Sequence, residues 1–374
     1  LVYTASALAS GGKLFNTVFG IDYHLAMLIG AAVILVYTFM GGFLAVCTTD
    51  FVQGSMMFIA LLIVPIVAWG YVSGSFEDLL MQSGVQSGHY LSLMYNGDHP
   101  ITLVEIVSNL AWGLGYCGMP HILVRFMAIK NEKELKKSSA IAITWVAISL
   151  SLAVIIGLVG RAFLMPEILG ETAGAASAES VFVEMIKKVF MEYLPLPFIG
   201  GLFLCGILAA IMSTADSQLL VCSSSVSADI YKDILNPKAS DKAVLKIGRI
   251  TTVAVAVLAI FIAWNPESSV MDLVSNAWAG LGAAFGPLVI MSLFWKRANL
   301  PGAIAGLISG AATVIIWDYI PLVGGQTLGK ATGLYSLLVG FIISLLFIIV
   351  VSLLTKAPEQ TILDEFDAYK NFKE

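Results

Sequence analysis

Charge is scarce in this 374-residue chain, because Asp, Glu, Lys and Arg make up only 12% of it. A soluble domain carries about 25%, so there is too little charge to coat a surface exposed to water. Only 20 residues are Lys or Arg and the net charge is −5, which argues against nucleic-acid binding. Together with the mean hydropathy of +0.90, this scarcity indicates a polytopic membrane protein.

Cysteines and catalytic motifs are sparse as well. The four cysteines all lie in apolar or glycine-rich runs, which suits reduced, buried thiols better than a disulfide framework: Cys47, Cys117, Cys205 and Cys222. No P-loop, HExxH, paired CxxC or GxSxG motif occurs in the sequence. An enzyme is therefore not expected.

Long apolar runs are abundant, and a membrane span needs about 20 such residues. Residues 1–12 resemble the second half of a span, and the chain begins at Leu1 without an initiator methionine or signal peptide; we therefore expect a fragment that lacks an N-terminal portion. Nine full spans are predicted at 24–46, 51–73, 104–128, 139–165, 196–226, 246–264, 270–295, 301–320 and 334–354. Residues 1–354 would then form a transmembrane domain and residues 355–374 a charged tail.

The positions of Lys and Arg predict the orientation of these spans. With strict alternation, 15 of the 20 positive charges fall on one side, in loops 125–137 and 232–249, at 296–297 and in the tail. The longest loop of the other side, 74–103, has no Lys or Arg. The charge distribution therefore predicts a cytoplasmic C-terminus.

The span 104–128 breaks the rules of a membrane helix. Gly113, Gly115, Gly118 and Pro120 fall close together, and Gly costs a helix about 1 kcal/mol and Pro about 3 kcal/mol. Freed backbone groups are tolerated in a bilayer only beside protein or a watery cavity, and such a break is typical of a transporter's binding site. Trp112 and Tyr116 lie on one face there and could close around a small ligand, or the segment could be a kinked helix with ordinary core aromatics.

The span 196–226 carries polar residues at helical spacing. Ala210, Ser213 and Thr214 share a face at i, i+3 and i+4, where a carbonyl and two hydroxyls can offer oxygens to an alkali cation. Such hydroxyls more often bond the helix backbone. Asp216 and Ser217 follow on an adjoining face, and an ionisable group inside a membrane is usually functional.

Two further features have alternative explanations. Asp50 follows Thr48 and Thr49 at the start of an expected span, so it is either a helix N-cap or part of an ion route. Segment 301–310 has glycines at 302, 306 and 310, a spacing that lets a neighbouring helix approach closely and is explained by packing.

Several motifs together resemble those of the sodium:solute symporters, and among these the bacterial sodium/proline symporters. They extend over the whole chain: YTFMGGFLAV (37–46), AWGLGYCGMPHILVRFMA (111–128), GILAAIMSTADSQLLVCSSSVSADIYK (206–232), NAWAGLGAAFGPLV (276–289) and GAIAGLISG (302–310). The resemblance implies an all-α protein with a LeuT-type core of two inverted repeats, in which this chain would supply the fourth to thirteenth helices and lack the first, broken one.

The resemblance also implies roles for individual residues. Sodium would be ligated by Ala210 through its carbonyl and by Ser213 and Thr214. Proline would be framed by Trp112, Tyr116 and Pro120, with Tyr3 contributing from the partial span. Asp50 matches a carboxylate associated with sodium handling, and a second cation site is expected from Asp50, Asp216 and Ser217, with Ser213 beside them. The chain departs from the family pattern at Asp216, where a small hydroxyl residue is expected, and at Cys117 and Met119.

The function implied is sodium-coupled uptake of L-proline across a bacterial cytoplasmic membrane, with sodium as the co-transported ion. The alternatives are a sodium symporter for another amino acid, a monocarboxylate or pantothenate, and a non-transporting sensor with the same fold. The expected partners are proline, sodium and the lipid bilayer. No feature indicates an obligate protein partner or a nucleic acid.

Overall fold

The computed structural model describes residues 1–72, 89, 91–96, 99–164 and 178–370, with side chains except at 40–45 and 132. The described chain is mainly helical, as expected where each backbone polar group must find a partner within its own segment. The helices are α1 Val2–Phe19, α2 Tyr23–Trp69, α3 Leu103–Gly115, α4 Pro120–Met127, α5 Glu132–Leu164, α6 Val181–Lys187, α7 Pro197–Ser224, α8 Asp241–Ile262, α9 Val270–Phe294, α10 Leu300–Tyr319, α11 Leu328–Thr332, α12 Ser336–Leu354 and α13 Gln360–Lys370.

Shorter elements connect or extend these helices. A 3₁₀ turn, Tyr116–Gly118, separates α3 from α4, and π-helical turns continue α6 and α7 at Lys188–Tyr193 and Ser225–Leu235. Two antiparallel strand pairs are formed by β1 Tyr95–Asn96 with β2 His99–Pro100, and by β3 Pro321–Val323 with β4 Gln326–Thr327.

Polar side chains mark where several helices begin. Thr102 accepts a hydrogen bond from the backbone N–H of Glu105, whose carboxylate accepts one from the backbone N–H of Thr102, a capping box at the start of α3. Ser240 caps α8 and Asn299 caps α10 more simply, each side chain accepting one hydrogen bond from the backbone N–H three residues further on. The helix boundaries are thus set by short polar residues between apolar runs.

The chain divides by its contacts into two compact units. The first contains Leu1–Gly88 and Ile129–Val274, and the second contains His89–Ala128 and Ser275–Glu374. Helix α9 therefore contributes residues 270–274 to the first unit and its remainder to the second.

Helices α1 and α7 run through the core of the first unit. One buried cluster joins them to α2, α5 and α6 through residues such as Val64, Leu164 and Met185, all fully buried. A second cluster joins them to the first part of α2 and to α8, with Ala215 and Ala259 fully buried. Residues 215–219 of α7 are buried in the interior of this unit.

Close helix packing holds the second unit together. Gly302 and Gly306 of α10 face α12, where added methyl groups would overlap Ser352 and Ile348, and a methyl group on Gly310 would overlap the Ala283 backbone of α9. The packing explanation of this glycine spacing is therefore confirmed.

The predicted spans correspond closely to the observed helices. Seven described helical segments are long and apolar enough to cross a membrane: Val46–Trp69, Lys133–Leu164, Pro197–Leu235, Asp241–Ile262, Val270–Phe294, Leu300–Tyr319 and Ser336–Leu354. Of the other two predicted spans, 24–46 overlaps the shorter apolar helix segment Tyr23–Phe39, and 104–128 is divided between α3 and α4.

Three expected boundaries were wrong. The spans 24–46 and 51–73 are parts of one helix, α2, because the polar residues 47–50 contain neither Gly nor Pro to end it. The partial span reaches Phe19 rather than residue 12, and α7 continues as π-helix into the expected loop 232–249. Residue 73, most of loop 74–103, residue 165 and the end of the tail at 371–374 lie outside the described residues.

Candidate ion and substrate sites

The three predicted sodium ligands lie together on α7 in the first unit. All three are half-buried, and the hydroxyls of Ser213 and Thr214 both donate to the Ala210 carbonyl, each at 3.1 Å. This is the backbone bonding typical of hydroxyls in membrane helices. Because each hydroxyl oxygen keeps acceptor capacity after donating, the same arrangement leaves two oxygens able to ligate a cation.

Asp216 is fully buried on the next turn of the same helix. The Tyr37 hydroxyl of α2 donates towards it, 2.5 Å from Oδ2, and also lies 3.1 Å from the Met212 carbonyl. A buried carboxyl is costly unless it is hydrogen-bonded, so the bond from Tyr37 helps to stabilise Asp216. Sequence analysis missed Tyr37 as a site residue, although a tyrosine hydroxyl inside an apolar span signals that a polar partner is needed.

The remaining candidates of the first unit are distributed over three helices. Asp50 is half-buried within α2 rather than at a helix start, so its N-cap explanation was wrong. Ser217 is 6% exposed on α7, and Tyr3 is half-buried on α1. Among the described residues no group of three or more His, Cys, Asp or Glu side chains forms a metal cluster. A second cation site at Asp50, Asp216 and Ser217 remains a prediction.

A cavity of about 430 Å³ opens beside Ala210 in the first unit. At its wall Lys13 of α1 donates to Glu179 Oε2 at 2.6 Å and to the Ser268 carbonyl at 2.8 Å. Glu179 Oε1 accepts from the Ser269 hydroxyl and from the Val270 N–H at the start of α9. Desolvation alone would raise the pKa of Glu179, but Lys13 and the backbone N–H groups of Val270 and Met271 outweigh it and hold the pKa below its usual value.

The predicted break in span 104–128 is confirmed in the second unit. Helix α3 ends at Gly115, Tyr116–Gly118 forms the 3₁₀ turn, and Met119 is extended with φ −84° and ψ 110°. Pro120 then begins α4 at a position where a missing N–H costs nothing. The glycines and the proline therefore interrupt the helix where their low helix propensity predicts.

Four aromatic side chains surround this break. The Trp112 ring stacks on Trp278, with centroids 5.4 Å apart, and on Tyr335, at 6.0 Å. Tyr116, which is 39% exposed, meets Trp278 edge-on at 4.9 Å. Trp278 of α9 is only 5% exposed, and sequence analysis missed it, although it lies within the quoted motif at 276–289.

The candidates thus form two groups, each within its own unit. The ion candidates on α7, with Tyr37 and Tyr3, belong to the first unit, and Trp112, Tyr116 and Pro120 belong to the second. The structure brings Ala210, Ser213 and Thr214 together, and it brings Trp112 near Tyr116 through Trp278.

A family model places these motifs among known proteins. The model of the sodium:solute symporter family matches residues 1–310. The chain belongs to this family. It is therefore a multi-pass membrane protein of a transporter family in which sodium is the co-transported ion.

Three relatives are similar to nearly all of this chain. It is 44% identical over 360 residues to the osmoregulated proline transporter OpuE of Bacillus subtilis, covering 96% of this chain and 68% of that protein. It is 43% identical to the high-affinity proline transporter PutP of Bacillus subtilis, covering 99% and 73% respectively. It is 43% identical to a sodium/proline symporter of Staphylococcus aureus, covering 96% and 67%.

A solved structure shares the fold. The substrate-bound, outward-open state of a Na⁺-coupled sialic acid symporter matches with a TM-score of 0.73 and 18% identity, over 96% of this chain and 73% of that one. The expected fold class, an all-α membrane protein of the LeuT type, is confirmed.

Proposed function

We propose that this chain carries L-proline into the cell together with sodium by alternating access. The observation that carries this proposal is the similarity over 96–99% of the chain to relatives that are all named proline transporters. A helix broken at Tyr116–Met119 supports it, because discontinuous membrane helices form the substrate sites of secondary transporters.

Sodium would bind on α7. Thr214 and Ser213 would offer hydroxyl oxygens and Ala210 its carbonyl, which are the ligands a hard cation prefers. The Ala210 carbonyl already accepts from both hydroxyls, so binding requires at least one of them to rotate away. Asp50, Asp216 and Ser217 would form the second cation site, with Tyr37 holding the carboxyl of Asp216.

Proline would bind beside the break in the second unit. Trp112 offers an apolar ring to the pyrrolidine, and the exposed Tyr116 offers a hydroxyl to the carboxylate or imino group. Pro120 would shape the turn, and Tyr3 would add a contact from α1. We expect sodium to favour the state that is ready for substrate, as any ligand favours the state it binds better.

We propose that the membrane potential supplies energy for uptake and that the chain has its C-terminus in the cytoplasm. One charge that crosses 100 mV releases about 2.3 kcal/mol, enough for roughly 50-fold accumulation at about 1.4 kcal/mol per decade. We place residues 1–354 in the cytoplasmic membrane as one transporter domain and residues 355–374 in the cytoplasm, on the charge distribution alone. We propose no enzymatic activity and no protein partner for this chain.

Uptake of labelled proline by cells that produce the full-length protein, and by proteoliposomes that contain it, tests the proposal. We expect accumulation with an inward sodium gradient and little uptake when potassium replaces sodium. Equal uptake in both buffers would exclude sodium coupling. Competition by another amino acid, a monocarboxylate or pantothenate, but not by proline, would favour another substrate, and ligand binding without uptake would favour a sensor.

A further inference from the structure

Trp278 contacts the broken helix at Trp112, Gly115 and Tyr116, which include two of the candidate substrate residues. Its indole Nε1–H donates to the Trp112 carbonyl at 2.9 Å. This carbonyl is one of the last four of α3, which a helix end leaves without regular partners. One side chain of α9 therefore bonds the backbone of α3 where the helix ends.

The ring of Trp278 also fixes the side chains on either side of that helix end. It lies nearly parallel to Trp112, with an interplanar angle of 14°, and nearly perpendicular to Tyr116, at 85°. Both are favourable geometries for aromatic pairs. Gly115 lies against the indole, and a methyl group added to it would overlap the ring.

We infer that Trp278 is a positioning residue that sets the geometry of the substrate site through Trp112 and Tyr116. The inference rests on the proposed function, since it concerns the same site. A wall built from half-exposed aromatic side chains binds tightly only if its rings are already held in place, because ordering them on binding costs affinity. Trp278 is itself almost fully buried, so it acts through its neighbours.

Trp278→Phe tests this role, because it keeps an aromatic ring and removes only the N–H donor and part of the ring area. Trp317→Phe is the matched control. The Trp317 Nε1–H also donates to a backbone carbonyl in the second unit, that of Leu334, at 3.0 Å. Both variants lose the same kind of bond, and only the first loses it at the broken helix.

For Trp278→Phe we expect the KM for proline to rise about five- to tenfold, the usual effect of one lost hydrogen bond with some loss of packing. The maximal rate per transporter at the cell surface and the sodium dependence should stay within about twofold. Discrimination against the six-membered-ring analogue pipecolate should also weaken. Trp317→Phe should change none of these. Equal changes in both variants, or an unchanged KM in Trp278→Phe, would overturn the inference.

A second readout does not depend on the substrate. Cys117 is a free, half-buried thiol within the 3₁₀ turn, and the other three cysteines can be replaced by serine. We expect a maleimide to label Cys117 severalfold faster in Trp278→Phe than in the parent or in Trp317→Phe. If the parent does not transport proline, the proposed function fails while this labelling still decides the role of Trp278; unchanged labelling contradicts that role.

Discussion

The hydroxyls of Ser213 and Thr214 would serve two purposes if the proposed sodium site is correct. Each donates to the Ala210 carbonyl, and this bond fixes the direction of its oxygen lone pairs. A bonded hydroxyl is usually taken as evidence for packing alone. Here two such hydroxyls and one carbonyl lie on one helical face, which is the kind of oxygen set that a small cation site requires once a hydroxyl has rotated away from the carbonyl.

Thr214→Ala should therefore raise the sodium concentration for half-maximal uptake. We expect about a tenfold increase, since one ligand oxygen is lost at a charged group. Thr214→Ser should retain most of the parent's sodium affinity. The control is Thr313→Ala, because the Thr313 hydroxyl makes the same kind of bond, to the Ser309 carbonyl at 2.7 Å. Identical sodium dependence in Thr214→Ala and the parent would make Thr214 a packing residue.

At the scale of elements, the broken helix depends on close contact between α3 and α9. Gly115 is buried against the Trp278 indole, and Gly118 lies against the α9 backbone near Gly282 and Gly286. A side chain at either glycine would force the turn and α9 apart. The position of the break is thus set by local sequence, and its shape is set by packing.

Gly115→Ala is expected to lower both the yield of folded protein and its proline affinity, because its methyl group would displace an indole that is 5% exposed. The matched control is Gly113→Ala, two residues away on the same helix, where nothing lies within 4 Å of the added methyl. Alanine there should leave stability unchanged or raise it by up to about 1 kcal/mol. Thermal unfolding in detergent and proline binding would compare them. Equal behaviour of the two variants would mean that α3 and α9 separate easily.

The Lys13–Glu179 pair ties α1 to the start of α9 and is a second test at this scale. We expect Glu179→Gln to lower the melting temperature by several degrees, because the carboxylate accepts from Lys13, Ser269 and Val270. Glu184→Gln, which disrupts the i,i+3 pair with Lys187, should have a smaller effect.

The loss of melting temperature caused by Glu179→Gln should depend on pH in one direction. The pKa of Glu179 is lowered in the folded state, so its ionised form stabilises the fold fully above the unfolded value, near 4.5. This stabilisation is lost as the pH falls through the lower, folded pKa. The melting temperatures of the parent and of Glu179→Gln should therefore converge below about pH 4.5. A constant difference down to strongly acid pH would contradict this explanation.

The break in α3 could be predicted from sequence because glycine and proline act on their own segment. The continuity of α2 could not, because residues 47–50 have a loop's polarity but no residue that stops a helix. The contacts of Trp278 with Trp112 and of Tyr37 with Asp216 join residues 166 and 179 positions apart. Their meeting depends on how neighbouring helices pack, which hydropathy and local motifs do not encode.

At the scale of the whole molecule, the two units have different chemistry. The first holds the hydroxyls and carboxyls of α7 and α2, and the second holds the aromatic side chains of the broken helix. If the proposed function is correct, sodium draws on the first unit, and proline draws on the second unit apart from its contact with Tyr3. Variants on α7 should then change mainly the sodium dependence, and variants around Trp278 mainly the proline dependence.

The distribution of positive charge makes a prediction for the whole chain, since it assigns each connecting loop to one side of the membrane. Lys238 lies between α7 and α8 among several Lys and Arg residues, and Glu267 lies between α8 and α9; both are exposed. In a background without the four native cysteines, we expect an impermeant maleimide to label Glu267→Cys on intact cells. Lys238→Cys should be labelled only after the membrane is permeabilised.

Because a single helix, α8, connects the two positions, they must lie on opposite sides if α8 spans the membrane. Labelling of both from outside would mean that α8 does not cross, and the reverse pattern would place the C-terminus outside the cell.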